Sequence, residues 1–202
     1  MHVDLMILAA GRASRMRGGD KLLEKVNGQP CAAVLARRGV QAGLRVLVVV
    51  PDLEHPRAVA LEGLDLRLVP SPQADQGMSF SIKAGLAALP ASCDAVMILP
   101  GDMPDIQAAD MRAMADAFAQ MPQTDILQAA TEDGAPGHPI VFRHTVFALF
   151  ADLQGDRGAF RVIDQLRGRW ALHPLPQDRA RRDLDTPEDW AAWRKAQDQS
   201  RT

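Results

Sequence analysis

The run Leu44-Arg45-Val46-Leu47-Val48-Val49-Val50, stopped by Pro51, is the strongest constraint on the fold of this 202-residue chain. A strand so continuously apolar has to be covered on both faces. That is the situation of a parallel sheet between two layers of helices, not of a hairpin sheet with one wet face. Leu5–Ala9 and Asp94–Leu99 are further runs of the same kind, and Leu66–Val69 is a shorter one closed by Pro70. Helical patterns separate them. Cys31–Val40 places Val34, Leu35 and Val40 on a core face and ends near Gly43; Ala58–Glu62 is short; Met78–Leu89 and the Ala/Met-rich Asp105–Met121 are longer. Strand–helix alternation of this length predicts α/β architecture: a single doubly wound, three-layer domain with a mostly parallel sheet.

The second half is less regular. Thr124–Ala130 and Ile140–Phe142 read as strands around a Gly- and Pro-bearing loop, and Trp170–Pro174 and Arg182–Leu184 as short ones. Helices are expected over Thr145–Asp152 and Ala159–Arg167. A last helix opens at Asp185-Thr186-Pro187-Glu188-Asp189, with Thr186 as cap, Pro187 in the first helical position and acids on the positive end of the dipole. The domain is taken to span residues 1–196, with 197–202 as a frayed tail.

In doubly wound sheets ligands bind beyond the carboxyl ends of the strands. The loops after Ala10, after Pro70 and after Leu99 are therefore expected to meet. The first is rich in glycine and cation: Gly11, Arg12, Arg15, Arg17, Gly18, Gly19 and Lys21. Glycines let backbone N–H groups approach an anion, and Arg and Lys supply countercharge. The loop lacks the Gly-Lys-Ser/Thr ending of a Walker A loop and the G-x-G-x-x-G dinucleotide fingerprint. The third loop reads Leu99-Pro100-Gly101-Asp102-Met103-Pro104. A carboxylate at a strand end beside a phosphate loop suits Mg2+, which takes oxygen donors and few protein ligands; a turn-forming Asp is the other reading. Ser79 and Ser81 fall in the first turn of their helix, where hydroxyls cap N–H groups or meet a ligand. Arg12 and Arg17 read as solvated.

Other classes are disfavoured. A formal net charge of −2 gives no basic field for nucleic acid or membrane. No apolar run reaches membrane-spanning length, Asp4 interrupts any secretory signal, and Tyr is absent. Cys31 and Cys93 lie far apart among small apolar residues and read as core thiols of a cytoplasmic protein.

The order Leu8-Ala9-Ala10-Gly11, Ser14-Arg15-Met16, Asp20-Lys21-Leu22-Leu23, Gly28-Gln29-Pro30, together with LPGDMP, resembles the molybdenum cofactor cytidylyltransferases and related MobA/MocA-like nucleotidyltransferases. Here Arg17 stands before Gly18-Gly19, where the family has a glycine directly after Arg-Met. The resemblance implies in-line transfer of a nucleoside monophosphate, CMP from CTP, to a small phosphorylated acceptor, molybdopterin or the molybdenum cofactor, with release of pyrophosphate. It implies Mg2+ on Asp102 and Asp156, with Asp185 ranked behind Asp156. Arg15, Lys21 and Asp102 would be catalytic. Leu8, Ala9, Ala10, Gly11, Arg15, Lys21, Gly77, Ser79, Ser81 and Asp102 would bind nucleotide, and His138, Asp156 and Arg157 would face the acceptor. A molybdoenzyme or its chaperone is the implied protein partner.

The family's Ala-Ala-Gly opening goes with cytidine and its Ala-Gly-Gly opening with guanine. The methyl of Ala10 is accordingly expected to narrow the base site. The alternatives are a guanylyltransferase on molybdopterin, a nucleotidyltransferase acting on a sugar phosphate or methylerythritol phosphate, and, from a different class, a non-catalytic nucleotide-binding or partner-docking protein. Retention of Arg15, Lys21 and Asp102 together argues against the last.

Overall fold

A computed structural model describes residues 1–153, 155 and 158–199, except for the side chains of 158, 160 and 161. Its strands are β1 (Val3–Leu8), β2 (Lys25–Val26), β3 (Gln29–Pro30), β4 (Arg45–Val50), β5 (Arg67–Pro70), β6 (Ala95–Pro100), β7 (Ile126–Ala130), β8 (Pro136–Arg143) and β9 (Trp170–Pro174). Its α-helices are α1 (Cys31–Gln41), α2 (Pro56–Val59), α3 (Met78–Ala87), α4 (Ala108–Ala119), α5 (Gly158–Gln165) and α6 (Pro187–Gln199).

Seven strands form one sheet in the order β5-β4-β1-β6-β8-β7-β9, and β2 and β3 make a separate ribbon. The sheet is parallel except at β8, which runs antiparallel to both β6 and β7. The reversal has a local cause. Only Thr131–Ala135 joins β7 to β8, with the Thr131 N–H donating to the Ala135 carbonyl at 2.9 Å, and so short a loop can only return the chain antiparallel. β8 is also longer than Ile140–Phe142, because it starts at Pro136 and takes in the whole Gly137-His138-Pro139 segment. That start lies beside the carboxyl end of β6, since Ile140 pairs with Ile98.

Alternate residues of β1 feed two cores. Leu5 and Ile7 join the side covered by α1, α4 and α6, and Met6 joins the side covered by α3 and α5. This is the expected doubly wound α/β arrangement with a mostly parallel sheet. In α1 the buried face is Cys31, Ala32, Ala33, Leu35, Ala36 and Gly39. Val40 is exposed instead of packed. A Cβ on Gly39 would come within 2.4 Å of Leu5 and 2.9 Å of Val46, so the helix rides on glycine and alanine and Val40 turns outward.

Some boundaries move for reasons of capping. α4 begins at Ala108, not Asp105, because Gln107 and Asp110 form a capping box. Asp105 is drawn elsewhere: it accepts from Trp193 Nε1 and Arg182 Nη1, each at 2.9 Å. α6 opens as expected. Thr186 Oγ1 accepts from the Asp189 N–H at 3.2 Å, and Asp189 Oδ2 accepts from the Thr186 N–H at 2.8 Å. Arg182–Leu184 is not a strand, and His144–Phe150 is 3₁₀ helix. β2 and β3 meet through Asn27 (φ 51) and Gly28 (φ 81), both left-handed, as a two-residue type I′ hairpin requires.

Candidate active site

The strand ends of the parallel half are level. Leu8 pairs with Val49 and with Pro100, and Val50 pairs with Pro70. Backbone bonds knit the loops that leave them: Gly101 N–H to Leu8 O at 3.1 Å, Ser71 N–H to Val50 O at 2.8 Å, Ala9 N–H to Val49 O at 2.8 Å. The three expected loops therefore meet. Between them is a cleft of about 550 Å³ whose lining includes Gly11, Arg15, Lys21, Gly77, Ser81 and Asp102. That volume is within the range of small-molecule sites, generally about 300–1,000 Å³.

At its floor Lys21 Nζ donates to Asp102 Oδ2 and, at 2.7 Å, to Asp185 Oδ1. Arg15 Nη1 reaches the other oxygen of Asp185 at 2.6 Å. Asp185 arrives because the Leu184 N–H donates to the Asp102 carbonyl at 3.0 Å. Burial works against the charge on Lys21. Asp102 and Asp185 outweigh it and hold the lysine above its ordinary value, so the ammonium persists. Partial burial, then the charges of Asp102 and Asp185, push the neighbouring Asp183 up.

The carboxylate of Asp102 is nearly buried, and its Oδ1 has no hydrogen-bond partner among the described residues. A buried orphan oxygen of this kind costs about 1–3 kcal/mol unless something binds it. With Asp185 it offers hard oxygen donors beside a space open to phosphates, which fits a divalent cation that completes its shell with substrate and water. Among the described residues no group of three His, Cys, Asp or Glu forms a ready-made metal cage.

The remaining expected residues divide. Gly77 (φ 129) lines the cleft where the backbone of Gly155 comes within 2.8 Å of where its Cβ would be, so no side chain fits there. Ser81 lines the cleft too, but Ser79 is fully buried and its hydroxyl has no partner among the described residues. Neither serine caps α3, whose N-cap is Gly77 without a side-chain bond. Ala9 and Ala10 are buried in the two opposite cores. The Ala10 methyl is thus packed into the core and does not line the cleft, against the expectation that it would narrow a base site. His138 is half-buried at the start of β8. Burial lowers its pKa and the nearby Asp102 charge partly restores it, so the ring is neutral at neutral pH. Asp156 and Arg157 lie outside the described residues. Arg12 and Arg17 are exposed and pair with Asp75 and Glu188; Arg12, expected to be only solvated, also lines the cleft.

Asp185, ranked behind Asp156 in the sequence, stands in the constellation, and Arg57 was missed altogether. The Asp-Thr-Pro signal at 185–187 spoke for a helix start, and nothing local to Arg57 marks it as buried.

A family model of the MobA-like NTP transferase domain matches residues 5–170. The chain belongs to that family. This nucleotidyltransferase is 26% identical over 204 residues to purine catabolism protein PucB of Bacillus subtilis, covering 95% of each chain. It is 31% identical to bifunctional protein GlmU of Sphingopyxis alaskensis over 133 residues, 65% of its own length and 29% of that protein. Rv0371c of Mycobacterium tuberculosis superposes with a TM-score of 0.82 at 23% identity, over 96% of this chain and 98% of that one. Rv0371c has also been crystallised as a manganese complex, TM-score 0.75, 24% identity, covering 95% of this nucleotidyltransferase and 97% of Rv0371c. Among the described residues no helix is long and apolar enough to cross a membrane.

Proposed function

We propose that this enzyme transfers CMP from CTP to a phosphate-bearing acceptor of the molybdopterin class, with Mg2+, and releases pyrophosphate. The observation that carries this reading is the constellation of Lys21, Arg15, Asp102 and Asp185 at the carboxyl ends of β1 and β6. Two cations face the cleft for the β- and γ-phosphates, and two carboxylates stand ready for a metal. The manganese complex of a structural relative supports a divalent cation in this fold.

Nucleotidyl transfer needs positioning and charge stabilisation more than covalent chemistry. Asp102 and Asp185 would hold the magnesium ion, which when bound neutralises charge on the α-phosphate. Lys21 and Arg15 would turn from these carboxylates to the triphosphate and stabilise the charge that develops on departing pyrophosphate. An acceptor phosphate is already anionic, so attack needs no strong base. His138, neutral and beside the end of β6, is suited to orient the acceptor by hydrogen bonding. Gly77 and Ser81 would meet base and ribose. The choice of CTP rests on the Ala9-Ala10-Gly11 opening, and GTP is the second reading because the Ala10 methyl packs away from the cleft.

Pyrophosphate release from CTP, GTP, ATP and UTP, each with and without molybdenum cofactor, tests the proposal. Release that depends on CTP and acceptor together is expected. Release with a sugar phosphate or methylerythritol phosphate in place of the cofactor would overturn the acceptor class.

A further inference from the structure

Arg57 is only 3% exposed, and its guanidinium lies beneath the phosphate loop. Its helix, α2, is one turn long, begun by His55, whose Nδ1 accepts from the Arg57 N–H at 3.2 Å. One turn of helix has little stability of its own. What α2 delivers is the guanidinium. Nε donates to Asp20 Oδ2 at 2.7 Å, and Nη1 donates to the carbonyls of Ala9 at 2.7 Å and Gly11 at 2.8 Å. These partners are the two ends of the loop. Ala9 and Gly11 mark where it leaves β1, and Asp20 immediately precedes Lys21. The other oxygen of Asp20 accepts from the Leu22 N–H at 3.0 Å, so the turn that carries Lys21 is fixed from both sides.

We propose that Arg57 is a positioning residue for nucleotidyl transfer. It clasps both ends of the phosphate loop, so that Arg15 and Lys21 are presented in place before the triphosphate arrives. A planar guanidinium is suited to this because its donors diverge in a rigid fork toward one carboxylate and two carbonyls. A lysine ammonium is a single point and cannot span all three. Filling the space needs no charge at all, and burying one is costly unless it is paired. The kinetic part of this inference rests on the nucleotidyltransferase reading above; the ordering of the loop does not.

The test uses Arg57→Lys, with Asp20→Asn as a second way to open the clasp should the first fail to fold. Arg45→Met is the control. It breaks the pair to the nearly buried Asp4, 2.7 Å, at the opposite ends of β1 and β4. Two readouts are taken on protein shown to be folded by circular dichroism: kcat and KM with CTP or GTP and Mg2+, and trypsin cleavage after Arg12, Arg15 and Arg17 without nucleotide. In Arg57→Lys we expect kcat to fall roughly 10- to 100-fold, as for a catalytic group misplaced by about an ångström. Loop cleavage is expected to speed up about tenfold. Arg45→Met should lower Tm yet keep wild-type kcat and loop cleavage. Wild-type kcat with unchanged cleavage in Arg57→Lys, or equal acceleration in Arg45→Met, would overturn the inference. If the wild type releases no pyrophosphate from either triphosphate, the functional reading fails while the trypsin comparison still decides the clasp.

Discussion

The ammonium of Lys21 is held on the carboxylate of Asp102, 81 residues further along the chain, at the floor of the cleft. Its second bond, 2.7 Å to Asp185 Oδ1, keeps both carboxylates together. On the proposed reading, Asp102 and Asp185 would hold a divalent metal that comes with the triphosphate, and Lys21 would turn to the phosphates. The consequence is that the four residues act as a unit, and single substitutions should be non-additive.

Asp102→Ala should abolish magnesium-dependent turnover and leave the fold intact. The orphan Oδ1 shows that the fold gains no bond from that oxygen, and Lys21 keeps Asp185. Near-normal activity in this variant, measured as pyrophosphate release across a magnesium titration, would remove Asp102 from the metal site.

Lys21→Ala and Arg15→Ala should each lower kcat/KM for the triphosphate by roughly 10²-fold or more if they act on developing charge. Lys21→Ala should also change the binding of Mn2+ without nucleotide, followed by paramagnetic resonance, because the cation competing for Asp102 and Asp185 is gone. Arg167→Ala is a suitable control, being exposed and paired with the exposed Asp164 on the surface. Arg179 is a poorer one because it neutralises the buried Asp110 at 3.2 Å. Equal losses from Arg15 and Arg167 would sink the phosphate role.

CTP should bind in preference to GTP by roughly one to two decades if backbone groups of the first loop satisfy the edge of the base, since an unpaired buried polar group costs about 1–3 kcal/mol. Ala10→Gly now has a different expected effect from opening a base pocket. It removes a methyl from the core formed with Met6, Val49 and Ile82, so it should lower stability by about 1 kcal/mol and weaken both nucleotides together. Competition binding to wild type and variant checks this, and a selective gain for GTP would show that the methyl faces the base after all.

Both cysteines should resist thiol reagents at neutral and mildly alkaline pH while the protein is folded. Burial, then the charge of Asp4, pushes Cys93 up to about 12, and burial with the charge of Asp102 pushes Cys31 higher still. A raised folded value means that the native state keeps a proton the unfolded chain gives up. The stabilisation is whole below the ordinary thiol value of 9.0 and is lost as pH rises through the folded values. Between pH 9 and about 12 each thiol should contribute at most about 1.4 kcal/mol of lost stability per pH unit. Urea unfolding across that range, with Cys93→Ala flattening part of the slope, tests the sign.

The sequence by itself determined what depends on near neighbours. Uninterrupted apolar runs made β1, β4 and β6 buried parallel strands, because a strand with no polar side must be covered twice. Gly and Pro ended those strands, and that alone set Gly11, Gly77 and Asp102 on loops at one edge. Thr186-Pro187 with Asp189 started α6 through bonds within one turn. The tertiary structure decided what depends on partners distant in the chain. Asp185 is 164 residues from Lys21 and reached it only through the packing of α6 and the Leu184–Asp102 backbone bond. Arg57 looked like any surface arginine until the one-turn α2 turned it inward under the loop. Ala10 seemed to face the base because its backbone belongs to the loop, but the pleat inherited from β1 sends its methyl into the core. A side chain's direction and partner are fixed by the register and packing of whole elements, and those are set only when the sheet and its helices assemble.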